Sequence, residues 1–300
     1  MNSHAQYPTG ILKHCPAPAK LNLFLHIIGR REDGYHLLQS VFQLIDRCDY
    51  LDFTIRDDGQ IIRINEVEGV PAESDLVVRA AKLLQAHCNV ELGADIELHK
   101  NLPMGGGLGG GSSDAATTLM TLNHLWNCQL PQAELMSLGL KLGADVPFFL
   151  LGCNAFVEGI GEQLQAVQTQ EQYFVVIEPG VHVPTPSIFS AKELTRDTKA
   201  VRITDFPDAT KVAWKNDMQA VACTLHSEIK VAIDWLSQFQ HESGNLRLAS
   251  AKMTGSGSCV FCGFSTETQA NEVCAQVPKH WKAWVAKSLQ QHPLLGLLAR

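Results

Sequence analysis

The segment Leu102-Pro-Met-Gly-Gly-Gly-Leu-Gly-Gly-Gly-Ser-Ser-Asp114 holds six glycines in seven residues, Gly105 to Gly111. Such a run is costly in backbone entropy and is used where main chain must come close to something. Ser112 and Ser113 are good helix caps, and Ala115, Leu119, Leu122 and Trp126 give the stretch after them one apolar stripe. Glycine-freed amides leading into a helix N-terminus make a phosphate site. A flexible linker is the bland alternative, but linkers are not set between a strand and a capped amphipathic helix. The spacing Gly105-x-Gly107-x-x-Gly110 formally satisfies the dinucleotide fingerprint, as almost any run this rich in glycine would. The strand before it alternates, Asp95, Glu97 and His99 against Ile96 and Leu98, unlike the continuous apolar first strand of a Rossmann unit. No lysine follows the last glycine, so a P-loop is excluded too. What remains is a third kind of nucleotide loop. Asp114 suits the helix dipole but would repel phosphate if it faced the loop; it either points away, the commoner case, or helps to hold magnesium.

Other side chains stand out for the chemistry that their types and settings allow. Asp145 lies just past a predicted helix, between Gly143-Ala144 and Val146-Pro147. Apolar flanks would partly desolvate a carboxylate there and suit it to take a proton. Capping the next helix is an equally common use of such an Asp. Lys20 sits on the polar side of an alternating strand. A lysine beside a carboxylate keeps it ionised and stabilises charge on reacting oxygens, although a lone strand lysine is usually on the surface. Tyr35 and His36 follow a turn at Gly34. The ring could stack on a base and the imidazole could offer it one donor and one acceptor; on the residues alone, a strand-start aromatic beside a surface His is the better reading. Gly255-Ser-Gly257 reads as a tight strand-entry turn that also admits a close backbone approach.

Stepping outward, 300 residues predict one large or two medium domains. The chain is 45% hydrophobic and 18% charged, a globular composition with apolar content for a sizeable core. With 24 basic and 31 acidic residues the net charge is −7, which argues against a nucleic-acid or anionic-membrane partner. No apolar run approaches the ~18 residues of a membrane span. Residues 1–20 show no basic segment followed by an apolar run, and the nine cysteines are an odd number, so reduced thiols in the cytoplasm are expected. Cys259-Val-Phe-Cys262 has the spacing of a redox or metal pair, but in a strand those positions face opposite sides, so buried structural thiols and no dedicated metal cage are expected.

Periodicity predicts strands at 20–28, 41–44, 50–56 and 61–65, a helix at 75–87, a strand around Ile96 and Leu98, and helices at 113–126 and 131–142. In the first strand Leu21, Leu23, Leu25 and Ile27 form one face and Lys20, Asn22, Phe24 and His26 the other, the pattern of a half-buried strand. The second half predicts a strand at 174–178, helices at 187–194 and 218–239, a strand at 258–264, a helix at 266–276 and a strand at 284–287. Strands and helices alternate without a regular βαβ rhythm, so two α+β domains are expected, dividing between about 152 and 172. Residues 1–16 belong to no motif and are expected to be loosely ordered.

The loop Pro103-Met-Gly-Gly-Gly-Leu-Gly-Gly-Gly-Ser-Ser113 resembles the phosphate loop of the GHMP kinases. Pro18-Ala-Lys-Leu-Asn-Leu-Phe-Leu25, Asp33-Gly-Tyr-His36 and Leu142-Gly-Ala-Asp-Val-Pro147 resemble the branch that acts on 4-diphosphocytidyl-2-C-methyl-D-erythritol, and Met253-Thr-Gly-Ser-Gly-Ser-Cys259 looks like the third glycine motif. Together these span most of the chain and are highly specific. The resemblance implies a two-domain α+β fold: residues 1–160 as a ribosomal-S5-domain-2-like ATP-binding domain, 161–300 as a ferredoxin-like substrate-binding domain, the last residues free to pack back on the first. It implies ATP-dependent phosphorylation of the 2-hydroxyl of that cytidylylated alcohol in non-mevalonate isoprenoid synthesis, with magnesium. Pro103, Met104, Gly105, Gly106, Gly107, Leu108, Gly109, Gly110, Gly111, Ser112 and Ser113 would hold ATP. Asp145 would be the proton acceptor and Lys20 its electrostatic partner, with Asn22 a positioning group. Tyr35 and His36 would hold the cytidine, with Phe189 as the second aromatic of a sandwich or as plain core packing.

Overall fold

The computed structural model describes residues 10–206, 214–239 and 250–299. Two long antiparallel strands organise the first half, β1 (Ile11–Arg30) and β2 (His36–Arg56). β1 runs along one edge of β2 for its whole length, from Ile11↔Thr54 to Arg30↔His36. The other edge is shared: residues 50–56 pair with β4 (Gly93–His99), which carries the short parallel β3 (Ile61–Arg63), while 40–42 pair with β5 (Ala155–Glu158), followed by β6 (Gln163–Ala166). The two predicted strands at 41–44 and 50–56 are thus one. Between them the Asp46 and Asp49 carboxylates accept amides from neighbouring segments, which keeps the strand extended through them.

Helices α1 (Leu76–Cys88), α2 (Gly110–Leu125), α3 (Gln132–Leu140) and α4 (Val146–Leu151) cover the outer face of this sheet, burying Val77, Leu84, Leu119, Leu122 and Phe148 against Phe53, Ile96 and Leu98.

The second sheet has the order β10-β7-β9-β8 and is antiparallel throughout: β7 (Tyr173–Glu178), β8 (Lys252–Met253), β9 (Val260–Phe264) and β10 (Lys282–Lys287). Its outer face packs on α5 (Thr185–Ser190), α6 (Gln219–Leu225), α7 (Ser227–Ser237) and α8 (Glu267–Ala275). One helix was predicted where α6 and α7 lie; His226 takes extended backbone between them, so each half turns its own apolar face to the sheet. α9 (Pro293–Leu298) crosses back to the first sheet, where Leu294 joins the core. The hairpin of β5 and β6 straddles residue 160, so the division expected there passes through it.

The two sheets meet face to face. Phe174, Val176 and Phe261 from one pack on Ala19, Leu21, Leu23, Phe24, Val41 and Ile45 from the other. Both faces of β1 are therefore buried, Lys20, Asn22, Phe24 and His26 included, which corrects the half-buried reading. Alternation here separates two packing environments instead of protein from water, and bulges between Pro18 and Ala19 and between Asn22 and Leu25 re-aim the side chains. Residues 11–16 also depart from expectation: they pair with β2, and Cys15 is fully buried. The rest of that expected extension, 1–9, lies outside the described residues.

Candidate active site

The glycine loop lies where the two sheets join, and the residues on either side of it explain its composition. Gly107 has φ +75°, and a Cβ there would stand 2.2 Å from the Thr254 carbonyl oxygen. Gly109, at φ +74°, faces Phe149 and Lys20 at 3.0 and 3.2 Å. These glycines are needed for contact with the facing protein as well as for a ligand. The loop is laced in place by main chain: Leu108 accepts the Lys20 amide (2.9 Å) and Gly106 accepts the Cys259 amide (3.1 Å).

α2 begins at Gly110 with Gly109 as its cap, earlier than the expected serine caps. A glycine cap offers no side-chain acceptor, so the first amides of the helix stay open to a ligand. They face a cavity of about 650 Å³ lined by Pro103 to Ser112, Lys100, Asp114, His182 and Thr185. Ser113 does not line it; its hydroxyl is buried, and its amide donates to the Gly109 carbonyl (2.9 Å). Asp114, one turn into α2, is buried and donated to by Lys100 Nζ at 2.8 Å.

Gly107, Gly109, Thr185 and Ser256 also line a second cavity of about 230 Å³, with Lys20, Asn22, Phe42, Asp145 and Phe189. The loop is thus a shared wall. Asp145 occupies the cap position of α4 but its side chain makes no capping bond. Its Oδ2 lies 3.8 Å from Lys20 Nζ, with Lys20 4% and Asp145 33% exposed. Lys20 Nζ donates to Asn22 Oδ1 (2.5 Å) and sits 4.8 Å from the centre of the Phe42 ring. Burial pushes the Lys20 ammonium below its ordinary range while Asp145 pulls it back. Asn22 is itself fixed, donating its Nδ2 to Ser40 Oγ and its amide to Thr254 Oγ1, each at 3.0 Å. The Thr254 hydroxyl also lies 3.3 Å from the Gly107 carbonyl, so one side chain joins the first strand, the loop and the third glycine motif.

Beyond this group His36 stacks on Phe189, centroids 4.6 Å apart and planes 18° from parallel. Arg196 Nε donates to His36 Nε2 (3.1 Å), and its guanidinium also holds the carbonyls of Phe189, Ala191 and Leu194. Burial and the Arg196 and Arg30 charges lower the His36 pKa, which favours neutral imidazole with the proton on Nδ1. Tyr35 is not brought to this cluster. It closes the Arg31–Tyr35 turn just before β2 and is 60% exposed.

Thr254, Ser40, Arg196 and Asp49 carry no spacing signal, and sequence reasoning did not single them out; only Thr254 sat inside a quoted motif. Cys259 and Cys262 enter different cores on opposite faces of β9, and burial raises both thiols, Cys262 to about 12. Among the described residues, one His/Asp/Glu cluster, Asp52, Glu97 and His99, brings ligand atoms within 4.8 Å, and none of the three lines either cavity.

The family descriptions "GHMP kinases N terminal domain" and "GHMP kinases C terminal" match residues 75–153 and 198–283. A 4-diphosphocytidyl-2-C-methyl-D-erythritol kinase of Janthinobacterium sp. (strain Marseille) is 62% identical over 291 residues, covering 95% of this chain and 98% of the relative. The chain belongs to the 4-diphosphocytidyl-2-C-methyl-D-erythritol kinases of the GHMP kinase family. A second member, from Herminiimonas arsenicoxydans, is 63% identical with the same coverage. The crystal structure of a 4-(cytidine 5'-diphospho)-2C-methyl-D-erythritol kinase superposes with a TM-score of 0.76 at 29% identity, over 92% of this chain and 99% of that one. The two-domain α+β architecture is therefore that of the GHMP kinases.

Proposed function

We propose that this protein transfers the γ-phosphoryl group of ATP to the 2-hydroxyl of 4-diphosphocytidyl-2-C-methyl-D-erythritol, in the cytoplasm, as a step of non-mevalonate isoprenoid synthesis. The observation that carries the reading is the Lys20–Asp145 pair, 3.8 Å apart, in a cavity whose wall is the glycine loop. Phosphoryl transfer asks a protein for position and charge stabilisation, with a group to receive the hydroxyl proton. Asp145 is that group. Its uncapped, partly exposed carboxylate is free to accept a hydrogen bond from the alcohol. Lys20 keeps Asp145 ionised and neutralises charge as the proton leaves. Asn22 fixes Lys20, and Thr254 fixes Asn22 to Gly107.

The loop from Pro103 to Ser112 holds the phosphates through open amides at the start of α2. Ser113 contributes to the helix, not to the cavity. Magnesium supplies charge neutralisation on ATP when bound. The Ser112 hydroxyl in the larger cavity and the Asp145 carboxylate in the smaller would offer it oxygen donors, whereas Asp75 and Asp114 are committed to Arg63 and Lys100. His36 presents Nδ1–H to an acceptor on cytosine, and Phe189 and Tyr35 close on the base from either side once the His36–Phe189 stack opens.

The test is a coupled ADP-release assay with the cytidylylated alcohol against homoserine and mevalonate. A preference for the cytidylylated acceptor of at least about 10³ in kcat/KM is expected, since a site that must satisfy polar groups discriminates at ~10⁴. Comparable turnover of mevalonate would overturn the substrate assignment.

A further inference from the structure

Three side chains, Asp49 and Asp114 buried and Lys100 partly exposed, join the two ends of the glycine loop and were given no part in the chemistry above. Asp49, on β2, is fully buried. Its Oδ1 accepts the amides of Asn101 (2.6 Å) and Leu102 (2.8 Å), the last residues before the loop. Its Oδ2 accepts Lys100 Nζ. The same ammonium donates to Asp114 Oδ2 (2.8 Å), the first residue after Ser113. Gly110 seats the loop on this group: a Cβ there would lie 3.4 Å from both Asp49 Oδ2 and Lys100 Nζ. Lys100 and Asp114 also line the larger cavity.

We propose that Lys100, held between Asp49 and Asp114, is a positioning residue that clasps the two ends of the glycine loop together, so that its amides are set before the nucleotide arrives. The proposal rests on the reading that this loop holds the phosphates of ATP. A loop this rich in glycine has many conformations to lose on binding, and a clasp removes part of that loss in advance. The clasp is also a charge device. Two carboxylates face one ammonium, with Asp75, the cap of α1, beyond them and itself paired with Arg63. Burial raises Asp114 to about 8, opposed by Lys100 and reinforced by Asp49 and Asp75. A carboxyl raised in this way puts less negative charge beside the phosphates than an ordinary carboxylate would. Deprotonation above that range places a like charge at the cavity wall.

The experiment is calorimetric titration of the folded enzyme with a non-hydrolysable ATP analogue and magnesium, beside steady-state KM values for both substrates. Lys100→Met should weaken analogue binding and raise the ATP KM by about tenfold or more, the loss of a charged hydrogen bond, with the acceptor KM unchanged; Lys100→Arg should recover most of it. Wild-type affinity for the analogue should fall from pH 7.5 to 9, and Asp114→Asn should flatten that fall. Full affinity in folded Lys100→Met, or equal effects on both KM values, would overturn the clasp. If Lys100→Met does not fold, Lys100→Gln is measured in its place, and full analogue affinity there decides against the clasp. A wild type that binds no analogue would instead overturn the nucleotide reading itself.

Discussion

The two cavities that meet at Gly107 and Gly109 are made of different material. The larger is walled by main chain, with consecutive glycines and the open amides of α2, and backbone bonds from Leu108 and Gly106 hold it rigid. The smaller is walled by side chains: an ammonium, a carboxylate, an amide and the Phe189 ring, which carries His36 stacked behind it and leaves Tyr35 outside. Triphosphate is the same in every ATP, so a fixed cradle of amides serves it. The acceptor must be told from other alcohols and must lose a proton, which needs charged and aromatic groups, some of which have to move. On the proposed function the nucleotide side would be set in advance and the acceptor side completed by the substrate.

Removing the acceptor side's one carboxylate should separate the two most sharply. Asp145→Asn should cut kcat by about 10³, in the range of a lost general base, while titration with an ATP analogue shows unchanged affinity. Turnover within a few-fold of wild type would remove Asp145 from the chemistry.

Lys20→Met should come next, with kcat down by about 10² or more from lost charge stabilisation and with no fall in Tm. The sign follows from burial: the folded pKa of Lys20 lies below the 10.5 of the unfolded chain, so the ammonium costs stability at neutral pH and that cost fades as pH rises towards 10.5. A lysine kept against stability is kept for its charge. A drop of Tm by several degrees with activity retained would make it structural.

Glycine substitutions test the rigid side. Gly107→Ala drives a Cβ to 2.2 Å from the Thr254 carbonyl at φ +75°, whereas at Gly105 the same clash meets the His182 ring, which can turn aside. Gly107→Ala should lower Tm and abolish analogue binding; Gly105→Ala should cost about 1–2 kcal/mol, the left-handed penalty alone. Thermal melts and titrations of both variants compare them, and equal losses would mean the clash is relieved equally.

The smallest expected effects fall on the aromatic end of the acceptor side. His36→Ala should raise the acceptor KM about tenfold, one lost hydrogen bond and its stacking, and leave the ATP KM alone. Tyr35→Ala should move the acceptor KM by less and leave Tm unchanged, since the ring is 60% exposed. Parallel shifts in both KM values would contradict the division between cavities.

The same division marks what was legible in the residues. Main-chain sites write themselves into sequence because few residues but glycine survive there, so the loop and the helix after it were readable from Gly105 to Ser112. The helix start was missed because Gly109 caps it with no side chain. Side-chain sites depend on which distant segments meet. Lys20 looked like a surface lysine because alternation reports two environments without saying that both are dry. Thr254 reaches Asn22 across 232 positions of chain, and Arg196 reaches His36 across 160. Such pairings have no period to reveal them. Asp49 sat in the gap between two predicted strands, and only the paired amides of Asn101 and Leu102 show why the strand continues through it.

The most direct test is a crystal structure of the enzyme with a non-hydrolysable ATP analogue and the cytidylylated alcohol together. The terminal phosphorus should stand beside Gly107 and Gly109, with the 2-hydroxyl within about 3 Å of an Asp145 oxygen, the reach of a general base. A triphosphate bound outside the glycine cradle, or a hydroxyl directed away from Asp145, would contradict the mechanism at its centre.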